Sequence, residues 1–232
     1  MILVTALGVT GSGLVAQGRG TAPPSAAQEL RRQQAEALRN GGVEAAASIT
    51  GHYTGPARAF WTAGDPFSIK EVSDFSHTAV VGRSFTNESQ LTADGRSIVM
   101  LYHVEIESSV KGAHKRGDRI VVNIPGGKIR FASGAVAEMQ LADMIRPQPQ
   151  TRYVWFLRRA PANLTQGGDD SSKGASYVPT FGPLGIYALE GGTSFKRVIP
   201  LGAYRSRLAM HLIKNPRTVA EFLTEVAAAG QR

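Results

Sequence analysis

Three side chains that could bind a metal ion lie two residues apart on one predicted strand. His103, Glu105 and Glu107 occur in the segment SIVMLYHVEIESSV, where a β-strand would place them on one face. Imidazole and carboxylate groups are ligands for divalent metals. The same spacing is also typical of a solvated face or of an edge strand protected by charge. His103, Glu105 and Glu107 are therefore candidate ligands, but no metal and no other cofactor is predicted.

Two matches to functional motifs are incomplete. The S-x-x-K match at residues 108–111 ends a predicted strand, whereas the acyl-transfer motif requires its serine at the start of a helix. Gly127-Lys128 is followed by Ile129, where a phosphate-binding loop requires a hydroxyl residue and then a helix. Residues 125–127, Pro-Gly-Gly, instead predict a hairpin turn with a glycine at positive φ. No catalytic residue is assigned.

A basic region near the C-terminus could bind an anion. The formal net charge is +8, and residues 191–220 hold basic side chains and no acid. A field of this sign attracts nucleic acid, anionic lipid or acidic polymer. No recognised nucleic-acid motif accompanies the charge, which argues against specific nucleic-acid binding. The candidate anion-binding residues are Lys196, Arg197, Arg205 and Arg207.

Composition limits both the chemistry and the fold. The 232-residue chain has no cysteine, which excludes disulfides, thiolate metal sites and cysteine nucleophiles. Its hydrophobic fraction of 42% is typical of a globular protein with a buried core. The 26 Gly and 12 Pro favour many short strands joined by turns.

Residues 1–17 form a signal-like leader in this interpretation. No charge precedes Arg19, and the apolar run 2–15 is shorter than the about 20 residues of a transmembrane helix. The run fits the apolar core of a secretory signal, although the usual preceding positive region is missing. An upstream start and an ordinary buried segment remain alternatives. We expect export to the periplasm or outside the cell, with no transmembrane span after the leader is removed.

A polar helix and linker are predicted for residues 18–48. Ser25 and Gln28 have the spacing of a capping box, so the helix should begin after Ser25. Gly41-Gly42 should stop it near Asn40. The apolar positions are sparse, which favours a spacer that packs weakly.

Residues 49–201 are predicted to form the β-barrel-like domain. In its clearest strand, residues 97–110, one face carries Met100, Tyr102, Val104 and Ile106, and the other carries Leu101 with His103, Glu105 and Glu107. Gly82 fits a bulge, and residues 152–157 fit a strand buried on both faces.

Residues 202–232 are predicted to form a helical appendage. Asn215-Pro216 has the pattern of a helix start. Val219, Phe222 and Val226, together with Leu223, follow the spacing of an amphipathic helix. The overall prediction is a mainly β protein, an oligonucleotide-binding-type antiparallel barrel with an N-terminal helix and C-terminal helices.

The order of the strand motifs carries a resemblance. AVVG is followed by VEIESSVKG, GDRIVVNIPGG and, after an insert, TRYVWFL, within residues 72–159. The pattern resembles a group of uncharacterised exported bacterial β-domain proteins and, distantly, the netrin-like barrel of tissue inhibitors of metalloproteinases. This resemblance implies a small oligonucleotide-binding-type barrel that is exported and does not catalyse a reaction. The inhibitors block proteases through an N-terminal cysteine pair, which this chain lacks, so that function is not carried over.

The leading hypothesis for function is a non-catalytic, exported binding or interaction module of the cell envelope. It follows from the leader, the strand pattern and the absence of a complete catalytic set. The partner would be an unknown protein or an anionic polymer. Two alternatives remain open: a hydrolase whose active site comes from distant loops, and a binder of anionic polymer through the basic C-terminal segment.

Overall fold

The computed structural model describes residues 25–59, 66–141, 144, 146–161, 164, 175–189, 198–200, 208, 211, 212 and 218–230. The protein is mainly β, with an N-terminal helix and a C-terminal helix. The helices are α1 (Ala26–Ser48), α2 (Ile69–Asp74) and α3 (Val219–Gly230), with a short 3-10 helix at Gly182–Gly185. The strands are β1 (His52–Pro56), β2 (Thr78–Leu91), β3 (Ile98–Lys111), β4 (Arg119–Pro125), β5 (Gly127–Arg130), β6 (Val136–Gln140), β7 (Arg152–Arg159), β8 (Ser176–Pro179), β9 (Ile186–Leu189) and β10 (Val198–Pro200).

The large sheet curls into a partly closed ring. Its strands follow the order β10-β9-β7-β2-β3-β4-β8, and the central neighbours are antiparallel. The last strand, β8, pairs in parallel with β4 and antiparallel with β7. These two pairings bring the sheet back on itself through β7, β2, β3, β4 and β8.

The ring interior is filled by alternate residues of its five strands. Val104 and Ile106 of β3 pack in one buried cluster with Trp155 of β7 and Tyr177 of β8. The predicted inward face of β3 is therefore confirmed. The outward face differs from the prediction in its first half, because Leu101 is only 4% exposed and packs with other apolar side chains.

Gly82 produces the predicted bulge in β2. The register between β2 and β3 shifts between Val81 and Gly82. A side chain at Gly82 would place its Cβ 2.6 Å from the carbonyl oxygen of Glu105. The absence of a side chain at Gly82 thus allows the backbones of β2 and β3 to approach each other closely, immediately before Arg83.

A second, three-stranded sheet of order β1-β6-β5 lies beside the ring. Gly126 and Gly127 both have positive φ, of 101° and 136°, so the positive φ predicted for a glycine in residues 125–127 is confirmed. The prediction of a hairpin is wrong, because β4 and β5 belong to different sheets and the two glycines connect them. The residues after the turn form strand β5, which lacks the helix N-terminus that a phosphate loop requires.

The N-terminal helix begins as predicted and ends later. Ser25 caps it in a capping box with Gln28. Gly42 adopts a non-helical φ of 79°, but the helix resumes and continues to Ser48. The amide of Val43 donates to the carbonyl of Gly95 at 2.8 Å. Residues 43–48 are therefore fixed to the β2–β3 turn and contribute to a core, whereas a weakly packed spacer was expected.

The C-terminal helix α3 covers the outer surface of the ring. Val219, Phe222 and Val226 are buried against α2 and against outward residues of β2 and β7, as the predicted stripe requires. The helix begins at Val219, where Thr218 and Glu221 form the cap, so its start lies after the predicted Asn215-Pro216. Residues 215 and 216 themselves lie outside the described ranges. Across the described parts of the chain, we find no helix with the length and apolar character that crossing a membrane requires.

Candidate functional site

An open cleft of about 660 Å³ lies where β2, β3 and β7 meet at one end of the ring. Three arginines and two glutamates line it, together with an aromatic ring. Arg83 and Phe85 come from β2, Glu105 and Glu107 from β3, Arg116 from the β3–β4 connection and Arg152 from β7.

Strand register brings these charges together. Arg83 lies opposite Glu105 on one neighbouring strand and opposite Arg152 on the other. Two like charges directly across a sheet repel each other, so this arrangement needs an acid nearby. Glu107, two residues beyond Glu105 and on the same face, supplies it.

The carboxylate of Glu107 holds both arginines. The Nε of Arg83 donates to Oε1 at 2.5 Å, and the Nε of Arg152 donates to Oε2 at 2.7 Å. Burial raises the pKa of Glu107, but the two hydrogen bonds outweigh burial and hold that pKa below its ordinary value of 4.5. The carboxylate is therefore ionised at neutral pH and fixes two guanidinium groups at the cleft wall.

Most of the guanidinium donors in the cleft have no acceptor among the described residues. A guanidinium carries five N–H donors, and Arg83 and Arg152 each use only Nε toward the described residues. Arg116 has no hydrogen bond or ion pair within the described parts of the chain. At the rim, the guanidinium of Arg119 lies 5.2 Å over the ring of Phe85, as in a cation–π contact. The positive groups thus outnumber the two glutamates.

The three candidate metal ligands do not converge. His103 lies 3.8 Å from Glu88 and packs beside the ring of Phe85, outside the cleft wall. Glu105 is exposed, and Glu107 is occupied by two arginines. Within the described residues, no group of three or more His, Asp or Glu could hold a metal ion. The alternation that suggested a metal site instead builds the charged wall.

The candidate anion-binding residues Lys196, Arg197, Arg205 and Arg207 lie outside the described residues. Their assignment stays a prediction.

One acid–base chain bears on the hydrolase alternative. The Nε2 of His114 and the hydroxyl of Tyr177 share a hydrogen bond of 2.8 Å, and Nδ1 of His114 lies 3.7 Å from Asp118. Tyr177 is nearly buried in the ring interior, and burial raises the pKa of its hydroxyl. None of the three residues lines the cleft, and the chain ends on a buried phenol rather than on a nucleophile at a substrate site.

Sequence reasoning missed Arg83, Arg116 and Arg152. Arg83 and Arg152 are 69 positions apart, and only the pairing of β2 with β7 makes them neighbours. The available signal was Gly82, since a bulge re-aims the side chain that follows it.

The chain was compared with protein-family models, with curated proteins and with solved structures, and none of these comparisons found a match.

Proposed function

We propose that this protein is a non-catalytic binding module that holds an acidic polymer in the arginine-lined cleft. The proposal depends on one observation: Glu107 fixes Arg83 and Arg152 through Nε, and the remaining N–H groups of these two cleft-lining residues have no acceptor among the described residues. Planar guanidinium groups that are fixed and unsaturated match carboxylate, sulfate and phosphate oxygens.

We further propose that the ring is an oligonucleotide-binding-type barrel. Five strands contribute to it, closure is partial, and β2, β3 and β4 form a meander at its centre. Barrels of this type bind chains of sugars or nucleotides on their outer face. An extended ligand of repeating acidic units suits such a face better than a compact one does.

A location at the cell envelope is part of the proposal. It rests on the uncharged apolar run in residues 1–17, which lies outside the described ranges. When a bacterium produces the chain with its own N-terminus, the protein should be recovered outside the cytoplasm and shortened at its start. Recovery of the full-length chain from the cytoplasm would contradict this part of the proposal.

Polymer binding can be tested with a carboxylated polysaccharide such as polygalacturonate. The wild-type chain should bind with an affinity that falls as salt rises, because binding releases counterions. Arg116→Gln should weaken binding about tenfold, since it removes a charged donor that has no ion pair among the described residues. Isothermal titration calorimetry at two salt concentrations measures both effects.

Lys128→Gln is the matched control for Arg116→Gln, because it removes one positive charge from β5 in the other sheet. Equal losses in the two variants would show that overall charge, rather than the cleft, attracts the polymer. If only a variant with Gln at positions 196, 197, 205 and 207 loses binding, the result would favour polymer binding through the basic C-terminal segment. Shortening of the polymer during incubation would favour the hydrolase alternative.

A further inference from the structure

A second cavity, of about 290 Å³, lies between the end of the ring and the β5–β6 sheet. A water molecule takes about 30 Å³ of liquid, so the cavity has room for roughly ten waters. This volume is close to the lower limit of about 300 Å³ for small-molecule pockets. Its lining combines side chains from β3, β4, β6 and the segment after β6, including Met100, Tyr102, Ile124, Glu138, Met144 and Arg146.

Tyr102 brings an unused donor into this cavity. The residue is only 1% exposed, and its hydroxyl makes no hydrogen bond within the described parts of the chain. Burial raises the pKa of Tyr102 to about 12, although the nearby positive charge of Arg146 opposes this shift. The hydroxyl is therefore a neutral O–H donor at neutral pH. Among the described residues, the Tyr102 hydroxyl is not one of the fully buried polar atoms that lack a partner, so it is accessible from the cavity that Tyr102 lines.

Arg146 supplies a positive charge on the same side. Arg146 lines the same cavity as Tyr102, its positive charge lowers the pKa of Tyr102, and it has no ion pair with a described carboxylate. Glu138 also lines the cavity, but its carboxylate already accepts from Nε2 of Gln140 at 2.8 Å. A hydroxyl donor and a guanidinium without an acid partner form a pair of donors that suits a carboxylate oxygen.

The rest of the wall is apolar. Met100 and Ile124 project from the ring, and Leu141 and Met144 face them from the segment after β6. Methionine side chains adapt to irregular shapes and make favourable contacts with aromatic rings. A ligand would therefore place an apolar tail against these side chains.

We propose that this cavity binds a small carboxylate with an apolar, preferably aromatic, tail, and that the Tyr102 hydroxyl and the Arg146 guanidinium hold its carboxylate. The site is separate from the arginine-lined cleft and shares no lining residue with it. A result that contradicts the proposal for this cavity therefore does not contradict the proposal for the arginine-lined cleft, and the reverse also holds.

The probes are 3-phenylpropanoate, its alcohol 3-phenylpropanol and the amino acid phenylalanine. Titration calorimetry should show saturable binding of 3-phenylpropanoate and at least about tenfold weaker binding of the alcohol, which lacks the charged oxygens. Phenylalanine tests whether the natural ligand is an amino acid or a simple carboxylic acid. If phenylalanine binds more tightly than 3-phenylpropanoate, Glu138 contacts its ammonium group. If it binds more weakly, the site is specific for simple carboxylates.

Tyr102→Phe should weaken binding of 3-phenylpropanoate about tenfold, because it removes the hydroxyl while the aromatic side chain keeps its packing. Its matched control is Tyr53→Phe, since Tyr53 is also nearly buried but lies in a different core and outside the cavity. Arg146→Gln is an exposed change that leaves the core intact and should produce a similar loss. The alcohol binding as tightly as the carboxylate, equal losses in the Tyr102 and Tyr53 variants, or no binding to the wild-type chain would each overturn the proposal.

Discussion

The two faces of β3 use neighbouring residues for opposite purposes. On the inward face, Val104 and Ile106 are 0% and 1% exposed and pack within the ring. On the outward face, Glu105 and Glu107 lie in the wall of a charged cleft. Inward residues stabilise the fold through the apolar area that they bury, and outward residues act through charge and hydrogen bonds. One alternating strand therefore carries the stability and the proposed binding site in separate sets of side chains.

The largest effect should come from the inward face. Ile106→Ala removes a fully buried side chain from the ring interior and leaves a cavity there, so it should lower the free energy of unfolding by about 2–5 kcal/mol. Urea denaturation followed by circular dichroism measures the change. A cost below about 1 kcal/mol would show that the ring interior is not packed as described.

An intermediate effect should come from Glu107, the outward residue with two hydrogen-bonded partners. Glu107→Gln should lower the free energy of unfolding by about 1–2 kcal/mol at pH 7, because it leaves Arg83 and Arg152 beside each other without their acid. The side chain of Glu107 is 29% exposed, so solvent screening keeps the effect below that of a fully buried pair.

The effect of Glu107→Gln should depend on pH. The folded-state pKa of Glu107 lies below the ordinary 4.5, so its contribution to stability is present above pH 4.5 and disappears as the pH falls through the folded-state value. The difference between the wild-type chain and Glu107→Gln should therefore be constant near neutral pH and should shrink below 4.5. A difference that grows on acidification would mean that the two arginines do not stabilise the ionised carboxylate.

The smallest effect should come from Glu105, which provides the control for both other changes. Glu105 is exposed on the outward face and has no ion pair in the described chain, so Glu105→Ala should change the free energy of unfolding by well under about 1 kcal/mol. The same denaturation measurement applies. Similar costs at Glu105 and Ile106 would mean that the two faces are not distinct.

Local patterns in the sequence predicted the elements that depend on local rules. The Ser25 cap, the Gly82 bulge and the apolar stripe of α3 follow from backbone hydrogen bonds, glycine sterics and helical periodicity, and all three are confirmed. The small sheet was missed because Gly55 and Pro56 disfavour a strand at β1, where pairing with β6 decides the conformation instead. The end of α1 was missed because Gly42 interrupts the helix without ending it.

The candidate sites could not be predicted from the sequence because both depend on long-range pairing. Arg83 and Arg152 become neighbours only when β2 pairs with β7. Tyr102 has the sequence pattern of an ordinary core residue, and only the folded structure shows that it lines a cavity together with Arg146. Alternation assigned Glu105 and Glu107 to one face correctly, but only their neighbours show that this face carries arginines rather than a metal.

Closure of the ring by β8 also sets the order in which the protein can fold during synthesis. The meander β2–β3 is complete at Lys111, but the strand that joins β4 to β7 ends at Pro179, 68 residues later. At about 5–20 residues per second, the ribosome needs roughly 3 to 14 seconds for that interval. In that interval, any sheet that the emerged strands form leaves Val104 and Ile106 without the strand that joins β4 to β7. The nascent chain therefore passes through a period of exposure to aggregation and to chaperones that the finished ring no longer shows.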